Sequence, residues 1–148
     1  MSLTYTIKPF DQLTPQELYA ILQLRNEVFA VDQQCVYPDM DDKDQPAWHL
    51  MGQKDNKLLA YTRLIPPGIS YKEPSIGRVV TSPSIRRSGE GRILMQRSIA
   101  WLQNNYPGQP IHIGAQLYLK EFYSSLGFSV CSAIYLEDGI EHIEMLLG

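Results

Sequence analysis

Polar and apolar residues alternate over 4–8, Thr-Tyr-Thr-Ile-Lys, and this two-residue period predicts an opening strand. The spacing then lengthens. Leu18, Ile21, Leu22, Arg25, Val28 and Phe29 recur every three or four positions, predicting a helix over 15–29 with one apolar face and Arg25 near its edge. Thr14-Pro15-Gln16-Glu17 marks its start with an N-cap hydroxyl, a proline at the first helical position and the returning carboxylate of a capping box. Over 31–46 the pattern breaks into a polar loop carrying Asp39, Asp41, Asp42 and Asp44. Strands are predicted over 48–53 and 58–65, joined by the turn Lys54-Asp55-Asn56-Lys57, and a third covers 75–81. Ile93, Leu94, Ile99 and Leu102 give one face to a helix over 91–105. A strand over 111–115 follows, then a short helix over 118–126 closed by Gly127, and two strands, 129–136 and 140–147, around Glu137-Asp138-Gly139. The order is strand, helix, three strands, helix, strand, helix, two strands, an α/β (α+β) pattern without internal repeats.

The chain has 148 residues, enough for one domain over 1–148 with a substantial core. With 13 basic and 16 acidic residues the net charge is -3, so no global basic field favours nucleic acid. No apolar run is long enough to span a membrane and residues 1–4 lack the features of a signal peptide, so a cytoplasmic protein is expected. Cys35 and Cys131 belong to no CxxC or His/Cys cluster, so both read as free thiols and no metal site is expected. Cys35 as an acyl-carrying nucleophile lacks an evident histidine to activate it. The aspartate loop has two readings, a solvated surface loop or a carboxylate cluster that greets a cationic acceptor; the spacing of a calcium loop is missing.

Candidate chemistry concentrates in Ile85-Arg86-Arg87-Ser88-Gly89-Glu90-Gly91-Arg92, where a predicted strand hands over to a predicted helix. The first turn of a helix has backbone N–H groups without intrahelical partners, and an anion satisfies them. Glycines at 89 and 91 remove Cβ atoms that would hold a phosphate oxygen away. Neither GxxxxGK[ST] nor the GxGxxG of a dinucleotide fold occurs, so the run reads as a different kind of pyrophosphate cradle.

Arg86-Arg87-Ser88-Gly89-Glu90-Gly91 follows Arg/Gln-x-x-Gly-x-Gly/Ala, and Phe122-Tyr123-Ser124-Ser125-Leu126-Gly127-Phe128 supplies a second motif with Gln116 and Leu119 upstream. Together they resemble the acetyl-CoA segments of the GCN5-related N-acetyltransferases, the GNAT superfamily, with Gln116 where that family usually has Asn and Leu119 where it has Ala. The resemblance covers nearly the whole chain. Leu24 to Phe29, His49, Tyr61 with Arg63, Gly77-Arg78-Val79, Gly114-Ala115-Gln116 and Glu137 to Ile140 followed by His142 resemble its ElaA-like branch.

The resemblance implies a mixed, mostly antiparallel sheet of six to seven strands, helices on both faces, and a central parallel pair, 75–81 and 111–115, that splays into a cleft. It implies acetyl-CoA as cosubstrate, without a metal. Val79, Val80 and Thr81 would pair with the pantetheine arm, Arg86, Arg87, Ser88, Gly89, Glu90, Gly91 and Arg92 would hold the pyrophosphate, Gln116 would also contact the cofactor, and Tyr123 would stand beside its sulfur. Which arginine reaches the phosphate stays open, and Glu90 between the glycines is unfavourable near phosphate unless its side chain points to solvent. An amine of a small molecule or peptide would attack the thioester directly, a backbone N–H of Val80 or Thr81 would hold the oxyanion, and Tyr123 would act as general acid. The strand over 75–81 lacks the carboxylate that family members often use as base. His49, as base or substrate contact, His112 and Glu144 are the alternatives. Arg63 and Arg78 should lie opposite each other, either paired internally with the aspartate loop or Glu27, or binding an anionic group of the acceptor. The competing function is a non-catalytic acyl-CoA sensor or interaction domain; an acyl-homoserine lactone synthase fits less well for want of an acyl tunnel. Neither nucleic acid nor membrane is an expected partner, and a homodimer through the apolar last strand is compatible with the sequence.

Overall fold

The computed structural model describes residues 2–33 and 38–148; Cys35 lies outside them. Strand β1 (Thr4–Pro9) leads into helix α1 (Pro15–Arg25), whose capping box forms: the Thr14 hydroxyl accepts from Glu17 N–H at 3.1 Å and the Glu17 carboxylate from Thr14 N–H at 2.9 Å. The α-helix ends four residues short of the expected Phe29. It passes into a π-helical turn over Asn26–Asp32, whose wider winding keeps Val28 buried and puts Val28 and Phe29 on the cleft wall.

Strands β2 (Trp48–Lys54) and β3 (Lys57–Ile65) form the expected hairpin. Asp55 and Asn56 make its two-residue turn at φ of 53° and 61°, the left-handed pair that matches strand twist. Strand β4 (Ser75–Thr81) completes a four-stranded antiparallel sheet in the order β1-β2-β3-β4. Arg63 faces Gly77, but Tyr61 faces Val80, so β4 holds one extra residue between these pairs. Arg78, at φ 50°, lies in this bulge, which corrects the expectation that Arg63 and Arg78 sit opposite each other.

Helix α2 (Glu90–Asn105) crosses back to β5 (Ile111–Gln116), and the short α3 (Lys120–Ser125) follows. The strand expected over 129–136 is divided into β6 (Ser129–Val130) and β7 (Tyr135–Glu137), which pair in succession with one edge of β8 (Ile140–Leu147) while β5 pairs with the other. Between them Cys131 N–H donates to Glu144 C=O at 2.9 Å and Ser132 Oγ accepts from Glu144 N–H at 2.9 Å, so the chain leaves the ladder to bond through a side chain. Among the described residues eight strands thus form two four-stranded sheets, where six to seven strands were expected.

β4 and β5 start side by side, His112 N–H donating to Pro74 C=O at 3.0 Å, and then belong to different sheets. Leu50, Ala60, Leu64 and Ile76 pack toward α2 with Ile113, Ala115 and Met145, whereas Met51, Tyr61 and Val80 pack toward Ile21 and Leu24 of α1. Alternate residues of each strand thereby bury against helices on opposite faces. Among the described residues no helix is long and apolar enough to cross a membrane.

The aspartate loop is tied down by three arginines. Fully buried Arg25 donates to Asp44 at 2.8 Å and Asp39 at 2.9 Å; Arg63 donates to Asp41 at 2.8 Å and Asp44 at 2.9 Å; Arg78 donates to Asp39 at 2.7 Å and Asp41 at 3.3 Å. His49 closes the cluster, its Nε2 against Asp44 C=O at 2.9 Å and its Nδ1 against the Tyr61 hydroxyl at 2.6 Å. Burial alone would raise the Asp41 carboxyl, but hydrogen bonds from Arg63 outweigh it and bring the group down to about 2. Asp44 is lowered in the same contest by Arg25 and Arg63, and burial lowers His49.

Asp44→Ala removes the carboxylate that Arg25 and Arg63 share and should cost about 3–5 kcal/mol in urea unfolding; a loss below about 1 kcal/mol would remove the cluster from the account of stability. Acid has a defined sign. A carboxyl lowered on folding stabilises above its unfolded value of about 3.9 and loses that contribution as pH falls toward about 2, and a histidine lowered on folding begins to cost stability as pH drops below about 6.5. Tm should therefore decline from near-neutral to acid pH, with a smaller decline below about pH 4 in Asp41→Asn.

Candidate functional site

Where β4 and β5 part, a cleft of ≈ 820 Å³ opens between the two sheets. Its wall on the α2 side includes Met95, Leu119, Phe122 and Tyr123, and its opposite wall includes Phe29, Gln33, Arg63, Tyr71, Tyr135 and His142. Gln116 Nε2 donates to Gln33 Oε1 within it at 3.3 Å. Val79, Val80, Thr81, Gln116 and Tyr123, all expected at the cofactor site, line the cleft together.

Ser82 N–H donates to Leu59 C=O at 2.7 Å, and Val80 and Thr81 face Tyr61 and Ala60. Alternation along an antiparallel pair then directs Val80 N–H toward β3 and Thr81 N–H toward the cleft. Of the two backbone donors considered for an oxyanion, Thr81 is the one on the open side.

At the end of the cleft, Gly89 caps α2 at φ 88°, preceded by Arg87 at φ 65°. A Cβ built on Gly89 or Gly91 meets nothing within 4 Å, so the outer surface of the turn is open to an anion at the first-turn N–H groups of Gly91 and Arg92. The chain's features fit a coenzyme A pyrophosphate there. Glu90 takes another role: its side chain is 3 % exposed and accepts from the Tyr5 hydroxyl at 2.6 Å, while its N–H donates to Ser88 Oγ at 3.3 Å. Its carboxylate turns into the interior and not to solvent as expected, and its N–H, expected at the cradle, is taken by Ser88. The arginines also separate. Arg86 lines the cleft, Arg87 is exposed, and the Arg92 guanidinium holds Ser125 Oγ at 2.9 Å and Ser125 C=O at 3.2 Å, pinning α2 to α3.

Tyr123 is 5 % exposed on α3, with the rings of Phe122 and Phe128 set edgewise 5.3 Å and 6.0 Å away. Burial, then the nearby Tyr118, raise its phenol well above the ordinary tyrosine value, so it stays protonated and able to donate. Arg63 and Arg78 reach the opposite wall, but their guanidiniums face Asp39, Asp41 and Asp44 of their own chain, the internal reading of the pair. Glu27 is not among the partners these bonds identify.

The histidines are redistributed. His49 is 0 % exposed and outside the cleft lining, with both ring nitrogens engaged in the arginine–aspartate cluster, so its expected place at the site is corrected: its two-residue spacing from Met51 points it to the α1 face, where burial claims it. His112 is also outside the lining, Nδ1 3.0 Å from Glu73, Nε2 2.6 Å from Glu144, and its ring stacked on Tyr71 at 3.7 Å. Exposed Cys131 lies near that pair, its ligand atom within 4.8 Å of theirs. The cleft-facing histidine is His142, which the sequence reading passed over as a branch marker. Its signal was present. A two-residue turn at Asp138 and Gly139, φ 51° and 77°, pairs Glu137 with Ile140 and hence Tyr135 with His142, putting them on one face beside Gln116. Tyr71 and Tyr135 complete that wall, their hydroxyls 3.0 Å and 2.9 Å from where a Cβ on Gly114 would stand.

The Acetyltransferase (GNAT) domain family matches residues 11–147. An acyl-CoA N-acyltransferase from Pseudomonas aeruginosa is 41% identical, with a TM-score of 0.95 over 99% of this chain and 100% of that one. Protein ElaA of Escherichia coli is 38% identical over 137 residues, 91% of this chain and 90% of ElaA. Its crystal structure overlays with a TM-score of 0.93 over 99% of both chains. A GNAT family acetyltransferase from Elizabethkingia anophelis, solved with acetyl-CoA bound, shares the fold at 17% identity and a TM-score of 0.65 over 97% of each chain.

Proposed function

The chain belongs to the GNAT acetyltransferase family, on its ElaA-like branch, and from that premise we propose that it transfers the acetyl group of acetyl-CoA to a primary amine of a small molecule or peptide. The observation that carries this reading is the V between β4 and β5, with a glycine turn at its outer end and a buried tyrosine on its wall. Acyl-CoA supplies the activated carbonyl. The open edge of β4 pairs with the amides of the pantetheine arm, and Gly91 and Arg92 N–H take the pyrophosphate, with Arg86 the arginine set on the cleft wall. Thr81 N–H donates toward the carbonyl oxygen, where charge develops during attack. Tyr123 gives its proton to the departing sulfur; burial keeps the phenol protonated, so the proton is in place when the C–S bond breaks.

A non-catalytic acyl-CoA sensor would share every one of these cofactor features, and β4 indeed carries no Asp or Glu. Release of free thiol from acetyl-CoA across a panel of primary amines separates the two. Amine-dependent release supports the transferase, whereas tight acetyl-CoA binding without release under any amine identifies a sensor. Tyr123→Phe should lower kcat about a hundredfold or more while the acetyl-CoA Kd changes by less than about twofold. Unchanged turnover would reduce Tyr123 to a packing residue.

A further inference from the structure

The reading above places a proton donor at the sulfur and leaves the amine's proton without a destination. We propose that His142 Nε2 is the general base that receives it, with Glu137 as the positioning residue beside it; this rests on the transferase reading of the same cleft.

Three observations converge on His142. It lines the cleft at 7 % exposure, close enough to be desolvated and open enough to meet an acceptor. Its Nδ1 lies 2.7 Å from Ile140 C=O, and a carbonyl only accepts, so Nδ1 carries the hydrogen and Nε2 keeps its lone pair. Glu137 Oε2 stands 3.6 Å from Nε2, too far to occupy it as an acceptor, and sets a carboxylate beside that nitrogen. The other titratable histidine assemblies differ on this point. His49 has both nitrogens engaged in the buried cluster, and His112 is held between two carboxylates.

The sheet geometry places base and acid on opposite sides. Gln116, His142 and Tyr135 are register partners and share one face; Ala115, Ile143 and Met145 point to the other, into the core that contains Tyr123. Arg92 on α2 bonds Ser125 on α3, which keeps Tyr123 on the α2 side. An amine entering from the His142 face and a thiolate leaving on the Tyr123 face therefore meet separate proton carriers across the splayed gap. As the C–N bond forms and the C–S bond breaks, the amine's surplus proton passes to His142 Nε2 and on to water, and the sulfur takes the Tyr123 proton, which solvent restores. The charged and titratable groups around His142 are Glu137 and Tyr135 from β7 and Asp138 from the turn, with Tyr71 beside Tyr135 and, lining the same cleft, Asp41, Arg63 and Arg78.

The test pairs a spectroscopic readout with kinetics. Nitrogen-15 NMR of the histidines in the protein without cosubstrate should show His142 as the Nδ1–H tautomer; an Nε2–H tautomer overturns the assignment. In thiol-release kinetics, His142→Gln should lose about a hundredfold or more in kcat/KM and the acidic limb of its pH profile, with Tm retained and acetyl-CoA Kd within about twofold. Glu137→Gln, at a side chain 62% exposed, should keep Tm and acetyl-CoA Kd and lower kcat about threefold or more, because the carboxylate that positions the base is gone. Wild-type turnover, with His142→Gln within about threefold of it and kcat unchanged in Glu137→Gln, overturns the base and leaves the transferase intact. Absence of turnover by the wild type with every amine overturns the transferase reading and the base with it.

Discussion

The backbone hydrogen bonds that β4 and β5 do not make with each other organise this molecule. They touch at their first residues, through His112 and Pro74, and then diverge into separate ladders. Edge N–H and C=O groups buried between two sheets need partners, and a chain of amides lying in the gap can supply them. The Arg78 bulge makes this divergence possible by adding a residue to β4, after which Thr81 N–H is turned outward. A cosubstrate bound there completes a structure that its own chain leaves open.

That opening is braced from one side by charge. Arg25, Arg63 and Arg78 come from α1, β3 and β4, and a single stretch of loop with Asp39, Asp41 and Asp44 binds all three. Burying such ions costs desolvation energy that hydrophobic residues would not, so the cluster is a better account of position than of stability. It sets the π-helical turn, the loop and the bulge in fixed relation, and with them Phe29 and Gln33 on the cleft wall opposite Tyr123. The rest of that wall is set by hairpin geometry, because a two-residue turn leaves no freedom in the pairing of Tyr135 with His142.

Elements governed by local rules were legible in the chain. The Thr14 capping box, the Asp55-Asn56 turn and the glycine turn before α2 all form as their residue types demand. Elements decided by distant partners were not. The π-helical turn and the division of 129–136 depend on what the segment meets, as Ser132 does in bonding Glu144 N–H. The site shows the same division: Tyr123 and the β4 edge follow from motif, whereas which histidine faces the cleft depends on strand register and on an arginine–aspartate cluster assembled from four segments. Glu90 is expected to face solvent, and Tyr5, 85 residues earlier, holds it in the interior instead.

The central claim is that the gap between β4 and β5 is the acyl-CoA site, and a crystal structure of the complex with acetyl-CoA tests it most directly. The pantetheine arm should lie along β4 with its amides bonded at Val79 to Thr81, the pyrophosphate at Gly91 and Arg92 N–H, and the sulfur beside Tyr123. A cosubstrate bound elsewhere, or one whose pyrophosphate avoids the start of α2, would contradict it.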